Sequence, residues 1–193
     1  MARPQAFNRQ QTLGRAIECF WLKGYRETSL SDLLITMNIS RSTFYNSFGD
    51  KRQLFELCLH TYAQQTQQIL ALTLLNKKLK GLQAIKQFLQ LVLLTPNEEL
   101  ISRGCLLVNT LAATARVDDE LNQLAKQLIQ PVKLGIIQQL AEAFDGASSI
   151  QYGEWLFTQL LGWRLQTQIG LEKSILRQQI DWSLQQLEQQ LEH

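Results

Sequence analysis

Residues 28–51 read TSLSDLLITMNISRSTFYNSFGDK, and the fold is decided here. Ser29 stands three residues before Asp32, the spacing at which a hydroxyl and a carboxylate satisfy orphan backbone donors at a helix start. Leu30, Leu33, Leu34 and Met37 follow at helical spacing, and then comes Asn38, one of the few residues that tolerate positive φ. A short helix therefore ends at Asn38 and the chain turns. Ser40 suits the N-cap of a second short helix, in which Phe44 and Phe48 share one face while Arg41, Ser42, Thr43, Tyr45 and Asn46 look elsewhere. Asp50 and Gln53 repeat the capping pattern, so Lys51 falls in the first turn of a third helix, at its positive dipole end.

The polar face of the second helix has the chemistry of a major-groove reader. Arg41 matches guanine or phosphate, Asn46 matches adenine, and the hydroxyls of Ser40, Thr43 and Tyr45 suit phosphate oxygens. No acidic residue interrupts it. The helix start at Lys51 welcomes an anion such as a DNA phosphate. The expected contact set is Thr28, Ser40, Arg41, Ser42, Thr43, Tyr45, Asn46 and Lys51, and the expected partner is double-stranded operator DNA.

Residues 12–55, with LGRAIECFWLKGY, then TSLSDLL, then ISRSTFYNSFGDK, resemble the DNA-binding domain of the TetR family of bacterial transcriptional regulators. The resemblance joins Phe20, the Gly24-Tyr25 pair, the run from Ser40 to Tyr45 and the Phe48-Gly49-Asp50-Lys51 exit. Leu34 and Met37 stand where the family often has alanine, and Asn38 where it has glycine. The resemblance implies an all-α fold: a three-helix helix-turn-helix domain over residues 1–52, then a larger helical effector-binding and dimerisation domain over 53–190. It also implies a homodimer and an effector of small size, the usual mode being repression relieved by that effector.

Upstream, Leu13, Ala16, Ile17 and Phe20 form a stripe on a helix from about Asn8 to Lys23, ended by Gly24. Cys19 on it is a small core hydrophobe. Downstream, a long helix runs from Lys51 through Tyr62 towards Leu75, and Lys77 to Lys80 form a basic link. Leu82 to Leu94 is helical and stops before Pro96. The stretch PNEELISRG reads as a loop leading to a helix near Gly104. Asp118 and Asp119 open the next helix, which Pro131 kinks or divides, and Asp145-Gly146 breaks the chain again. The last two helices run from Ser148 to about Gly170 and from Glu172 to about Leu191. Their apolar faces are wider than one neighbour covers, so Leu156, Leu160, Trp163, Leu176, Ile180 and Leu184 are expected at a four-helix dimer interface, the alternative being that both helices close the chain's own core.

The run RGCLLVNT resembles a stretch in a subset of the family that includes a repressor sensing electrophiles through cysteine. It marks Cys105 and Asn109 as effector or sensor residues, with Arg103 and the helix dipole lowering the thiol pKa. Its alternative is an inert buried cysteine. The effector pocket is expected between helices and mostly apolar.

The 193 residues carry a net charge of +2 that is unevenly placed. Residues 1–60 hold eight Lys/Arg against five Asp/Glu, and the remainder eleven against twelve, which puts the excess at the DNA-reading end. Three scattered cysteines argue against a disulfide framework. Without a secretory signal or a membrane-length apolar run, the expected location is the cytoplasm, with no membrane partner. Leu191-Glu192-His193 reads as a tag remnant. With two histidines and no Ser-His-Asp, HExxH or P-loop pattern, no catalytic set assembles, and neither a cofactor nor a metal is expected. The competing readings are a sensor of the same fold switched through Cys105, and a helical small-molecule-binding or adaptor protein that does not touch DNA.

Overall fold

The computed structural model describes residues 8–191; Glu192 and His193 of the expected tag remnant and residues 1–7 lie outside the described part. The described residues form helices and no strand. In order these are α1 (Arg9–Lys23), α2 (Leu30–Met37), α3 (Arg41–Phe48), α4 (Lys51–Leu72) and α5 (Gly81–Leu89), which runs into a π-helical turn (Gln90–Leu94). Then follow α6 (Glu98–Ser102), α7 (Leu106–Thr114), α8 (Asp119–Leu140), α9 (Gly146–Gln168) and α10 (Lys173–Leu191). None is long and apolar enough to cross a membrane.

Two differences from the sequence-based expectation have local causes. The PNEELISRG stretch is not a plain loop: Asn97 caps α6 by accepting from the Leu100 backbone N–H at 2.8 Å, and Glu98 and Glu99 sit in the first turn, where the dipole favours them. Pro131 does not divide its segment. α8 runs through it, with the ring on the exposed side of the helix.

Two hydrophobic clusters hold the chain together. The first gathers α1, α2, α3 and the first half of α4 around Phe20, Leu33, Phe44 and Phe55, and extends onto Leu106, Leu107, Leu121 and Ile129 of α7 and α8. The second joins Leu70 of α4 to α5, the π turn, α8, α9 and α10. α4 contributes to both and is the helix through which the DNA-reading end meets the rest. Where α8 and α9 cross, Gly153 is tight against Ile137, whose backbone Cα would lie 3.3 Å from an added Cβ.

The second cluster corrects one expectation. Leu156, Leu160 and Trp163 of α9 and Leu176, Ile180 and Leu184 of α10 are buried in the chain's own core, none more than 5% exposed. They are not available to a partner, because α8 and the α5–π layer already cover that stripe. The large apolar side chains these helices leave exposed are Ile150 and Leu165 on α9, Ile169 just after it, and Ile175, Trp182 and Leu191 on α10.

Candidate nucleic-acid interface

The three caps expected in the reading segment are formed. Ser29 Oγ accepts from the Asp32 backbone N–H at 3.1 Å while Asp32 accepts from the Ser29 backbone N–H at 2.9 Å. Lys23 adds an ion pair to Asp32 at 2.5 Å, and this bond, with the Ser29 donors, holds the Asp32 carboxyl far below the usual carboxylate range. Asn38 takes the left-handed conformation, φ 55° and ψ 51°, and the turn is closed by the Ile39 N–H donating to Leu34 O at 3.2 Å. Ser40 Oγ then caps α3 by accepting from Thr43 N–H at 3.1 Å, and Asp50 and Gln53 cap α4 reciprocally.

The turn directs α3 so that Phe44 and Phe48 are buried and the opposite face is free. Arg41, Ser42, Tyr45 and Asn46 are exposed there, with Tyr45 braced edge-on against Phe44 at 5.4 Å between ring centres. Side chains of these four types suit base edges and phosphate oxygens. The Ser40 hydroxyl is exposed but already used by the cap and by the Ser42 and Thr43 hydroxyls. Thr43 is half-buried against it. Thr28 departs from expectation: its side chain is fully buried, and its hydroxyl donates to Gly24 O at 2.6 Å, locking the α1–α2 turn instead of facing outward.

Lys51 is held in a specific place. Its ammonium sits 4.7 Å from the centre of the Tyr25 ring and donates to Arg26 O at 3.3 Å. Burial lowers its pKa, with the charges of Glu27 and Asp32 opposing. Tyr25 in turn stacks on Phe55, and Phe20 meets Phe55 edge-on at 4.8 Å. The separate residues Phe20, Tyr25 and Phe55 thus make one aromatic base under Lys51. Sequence reading missed Arg9, whose guanidinium lies 5.5 Å from the centre of the Phe48 ring at the far end of α3. No local signal marks that pair, because the partners come from different helices.

The reading head is tied to the rest at two polar points. The Trp21 indole N–H donates to Arg103 O at 3.0 Å, the Asn109 amide donates to the same oxygen at 2.9 Å, and Gln168 at the end of α9 donates to Asn109 Oδ1 at 2.6 Å. Gly104 between them has φ +70°, and an added Cβ would fall 1.8 Å from the Gln168 amide nitrogen. The second point is Arg52, which binds Asp118, Glu56 and Glu120.

Cys105 opens α7 and is buried, next to the Tyr62 hydroxyl. The Arg103 guanidinium, two residues before it, pairs with Glu99. Asn109 is a structural bridge in the Trp21–Gln168 chain. Both Tyr62 and Cys105 border a mostly apolar cavity of about 40 Å³ between α4, the π turn, α7, α8 and α9.

Residues 13–58 match the family described as bacterial regulatory proteins, tetR family. The chain is 41% identical over 64 residues to the uncharacterized HTH-type transcriptional regulator YezE of Bacillus subtilis (strain 168), covering 33% of each protein. It is 38% identical over 60 residues to the HTH-type transcriptional repressor ComR of Escherichia coli (strain K12), covering 31% of this chain and 29% of that protein. The likeness thus spans about a third of the length of these relatives. In overall fold the chain is similar to a cysteine mutant of the TetR family transcriptional regulator CifR complexed with 26bp double-strand operator DNA, with a TM-score of 0.74 and 23% identity over 95% of this chain and 98% of that one. With the capped helix-turn-helix, the aromatic base beneath Lys51 and the helical body all in place, residues 13–58 are a tetR-family segment, and the whole chain has the fold of solved TetR-family regulators.

Proposed function

We propose that this protein is a one-component repressor of transcription that binds an inverted-repeat operator as a homodimer and leaves it when an effector enters the helical body. The observation that carries the reading is the exposed face of α3, where Arg41, Ser42, Tyr45 and Asn46 stand together with no carboxylate from Leu33 to Gly49. Groups of this kind read base edges and phosphates, and a rigid hydrophobic edge fixes their direction. The name of ComR and the operator complex of CifR support the same direction. Selection from random duplexes tests it: a salt-sensitive, symmetric consensus is expected, and absence of any salt-dependent retention defeats it.

The homodimer forms through the outer faces of α9 and α10. Gly162 is exposed on α9 with nothing near its Cβ position, and Leu165, Ile169, Ile175 and Trp182 supply apolar surface. Large apolar side chains left exposed are a common mark of association when they form a patch. The effector site is the cavity bordered by Tyr62 and Cys105. Movement there reaches the reading head along α4 and through the Arg103–Asn109–Gln168 chain, both of which touch α1.

A second reading of the switch has its own observation: Cys105 lines the cavity, so a reactive effector that enters would meet the thiol. Replacement of Cys105 by Ser separates the two. A noncovalent effector still releases the operator from the variant, whereas a covalent one does not.

A further inference from the structure

The cavity wall contains a cation that the fold leaves without a counter-charge. Arg164, on α9, is half-buried at the cavity, and its guanidinium has no carboxylate partner among the described residues. By contrast Arg52, in the first turn of α4, binds three carboxylates. The same wall includes Tyr62, 8% exposed, and the half-buried Thr66. The remaining wall is aliphatic or aromatic and includes Val92 of the π-helical turn. Such turns are costly in regular helices and recur at functional sites.

We infer that the effector is a small amphipathic monocarboxylate, its carboxylate at Arg164 beside Tyr62 and Thr66 and its short apolar tail directed inward. A planar guanidinium matches a carboxylate with two parallel hydrogen bonds, and in an apolar wall such a pair is stronger than in water. A phosphate dianion would call for more donors than one guanidinium and two hydroxyls. The cavity, at about 40 Å³, has room for the volume of about three waters. A tail of a few carbons fits with a small outward shift of the π turn, while a polycyclic ligand does not. The inference rests on the reading of this cavity as the effector site.

The test uses the intact chain and a matched series of sodium hexanoate, 1-hexanol and hexylamine, with binding read by calorimetry and by melting temperature. Hexanoate is expected to bind at least about tenfold tighter than the alcohol, with the amine weakest. Arg164→Met should erase the preference of acid over alcohol while leaving the alcohol's affinity unchanged, and Arg164→Gln serves the same purpose where the Met variant fails to fold. Tyr62→Phe should weaken hexanoate several-fold without reversing the order. Equal binding of all three probes, absence of binding by hexanoate, or an unchanged acid preference in the arginine variants overturns the inference. Operator retention is measured separately on the same samples. Hexanoate preference with no DNA retention removes the regulator reading and leaves the carboxylate site standing; DNA retention with no hexanoate preference does the reverse.

Discussion

The Arg52 guanidinium grips Asp118 with both terminal nitrogens, Nη1 at 2.9 Å from Oδ2 and Nη2 at 3.2 Å from Oδ1. Arg52 lies in the first turn of α4, next to Lys51, and Asp118 is the N-cap of α8, so the fork joins the reading head to the 22-residue helix α8. Asp118 also accepts from the Leu121 backbone N–H at 3.0 Å. Replacing Asp118 by Ala should cost about 1–2 kcal/mol, chiefly through the lost cap. Arg52→Met should cost less, and the double variant should cost less than the sum, because the pair shares one interaction. Chemical denaturation of the four proteins measures this.

The same aspartate gives a pH dependence. The Leu121 backbone bond and then the Arg52 pairing lower the Asp118 pKa in the folded state. A carboxyl depressed in the folded state stabilises it above the unfolded value and loses that effect as pH falls through the folded one. Asp32, depressed first by its Lys23 pair and then by the Ser29 donors, and Asp145, depressed by the Ser148 donors, act in the same sense. Stability should therefore fall as pH drops below about 4, and Asp118→Asn should flatten that limb, as read by melting temperature against pH.

On the DNA face, Arg41→Ala or Asn46→Ala should relax sequence preference by about 1–3 kcal/mol at single positions of the site. Lys51→Ala should weaken all sequences alike and reduce the salt slope by about 1. Because Lys51 also sits over the Tyr25 ring, that variant should melt slightly lower, whereas Arg41→Ala, whose side chain is exposed, should not. Competition binding over a range of salt concentrations, with melting curves, separates the two effects.

Gly104→Ala should destabilise the fold by more than 1 kcal/mol and weaken operator binding. The positive φ strains any L side chain, and the new methyl would strike the Gln168 amide. Adding Gln168→Ala should recover the steric part and leave the backbone part. Melting temperatures of the single and double variants give the split.

Charged substitutions divide the inner and outer faces of α9 and α10. Leu160→Glu and Leu184→Glu, which fall in the core, should unfold the chain rather than produce monomers. Leu165→Glu and Trp182→Glu, at exposed positions, should keep helical signal and melting temperature yet sediment as monomers with low operator affinity. Sedimentation and circular dichroism on the four variants decide it.

The helix-turn-helix was legible in the sequence because its determinants are local. A capping box, an Asn at positive φ and two phenylalanines four apart each act over three or four residues, and the structure forms all of them. The family resemblance carried by Phe20, Gly24, Tyr25 and the Ser40 to Tyr45 run was legible for the same reason. What the sequence could not decide was which way a side chain faces when two elements compete for it. Thr28 is polar and next to the reading segment, yet it turns inward to Gly24 O. The apolar stripes of α9 and α10 marked these helices as doubly buried, but periodicity alone does not say whether a stripe meets its own chain or a partner. Packing against α5, the π turn and α8 assigned Leu156, Leu160, Trp163, Leu176, Ile180 and Leu184 to the interior. Arg52 on Asp118, Arg9 on Phe48 and Arg164 at the cavity join residues tens of positions apart or lie in a cavity that several helices enclose. Such relationships come from the packing of whole helices, which no short window of sequence contains.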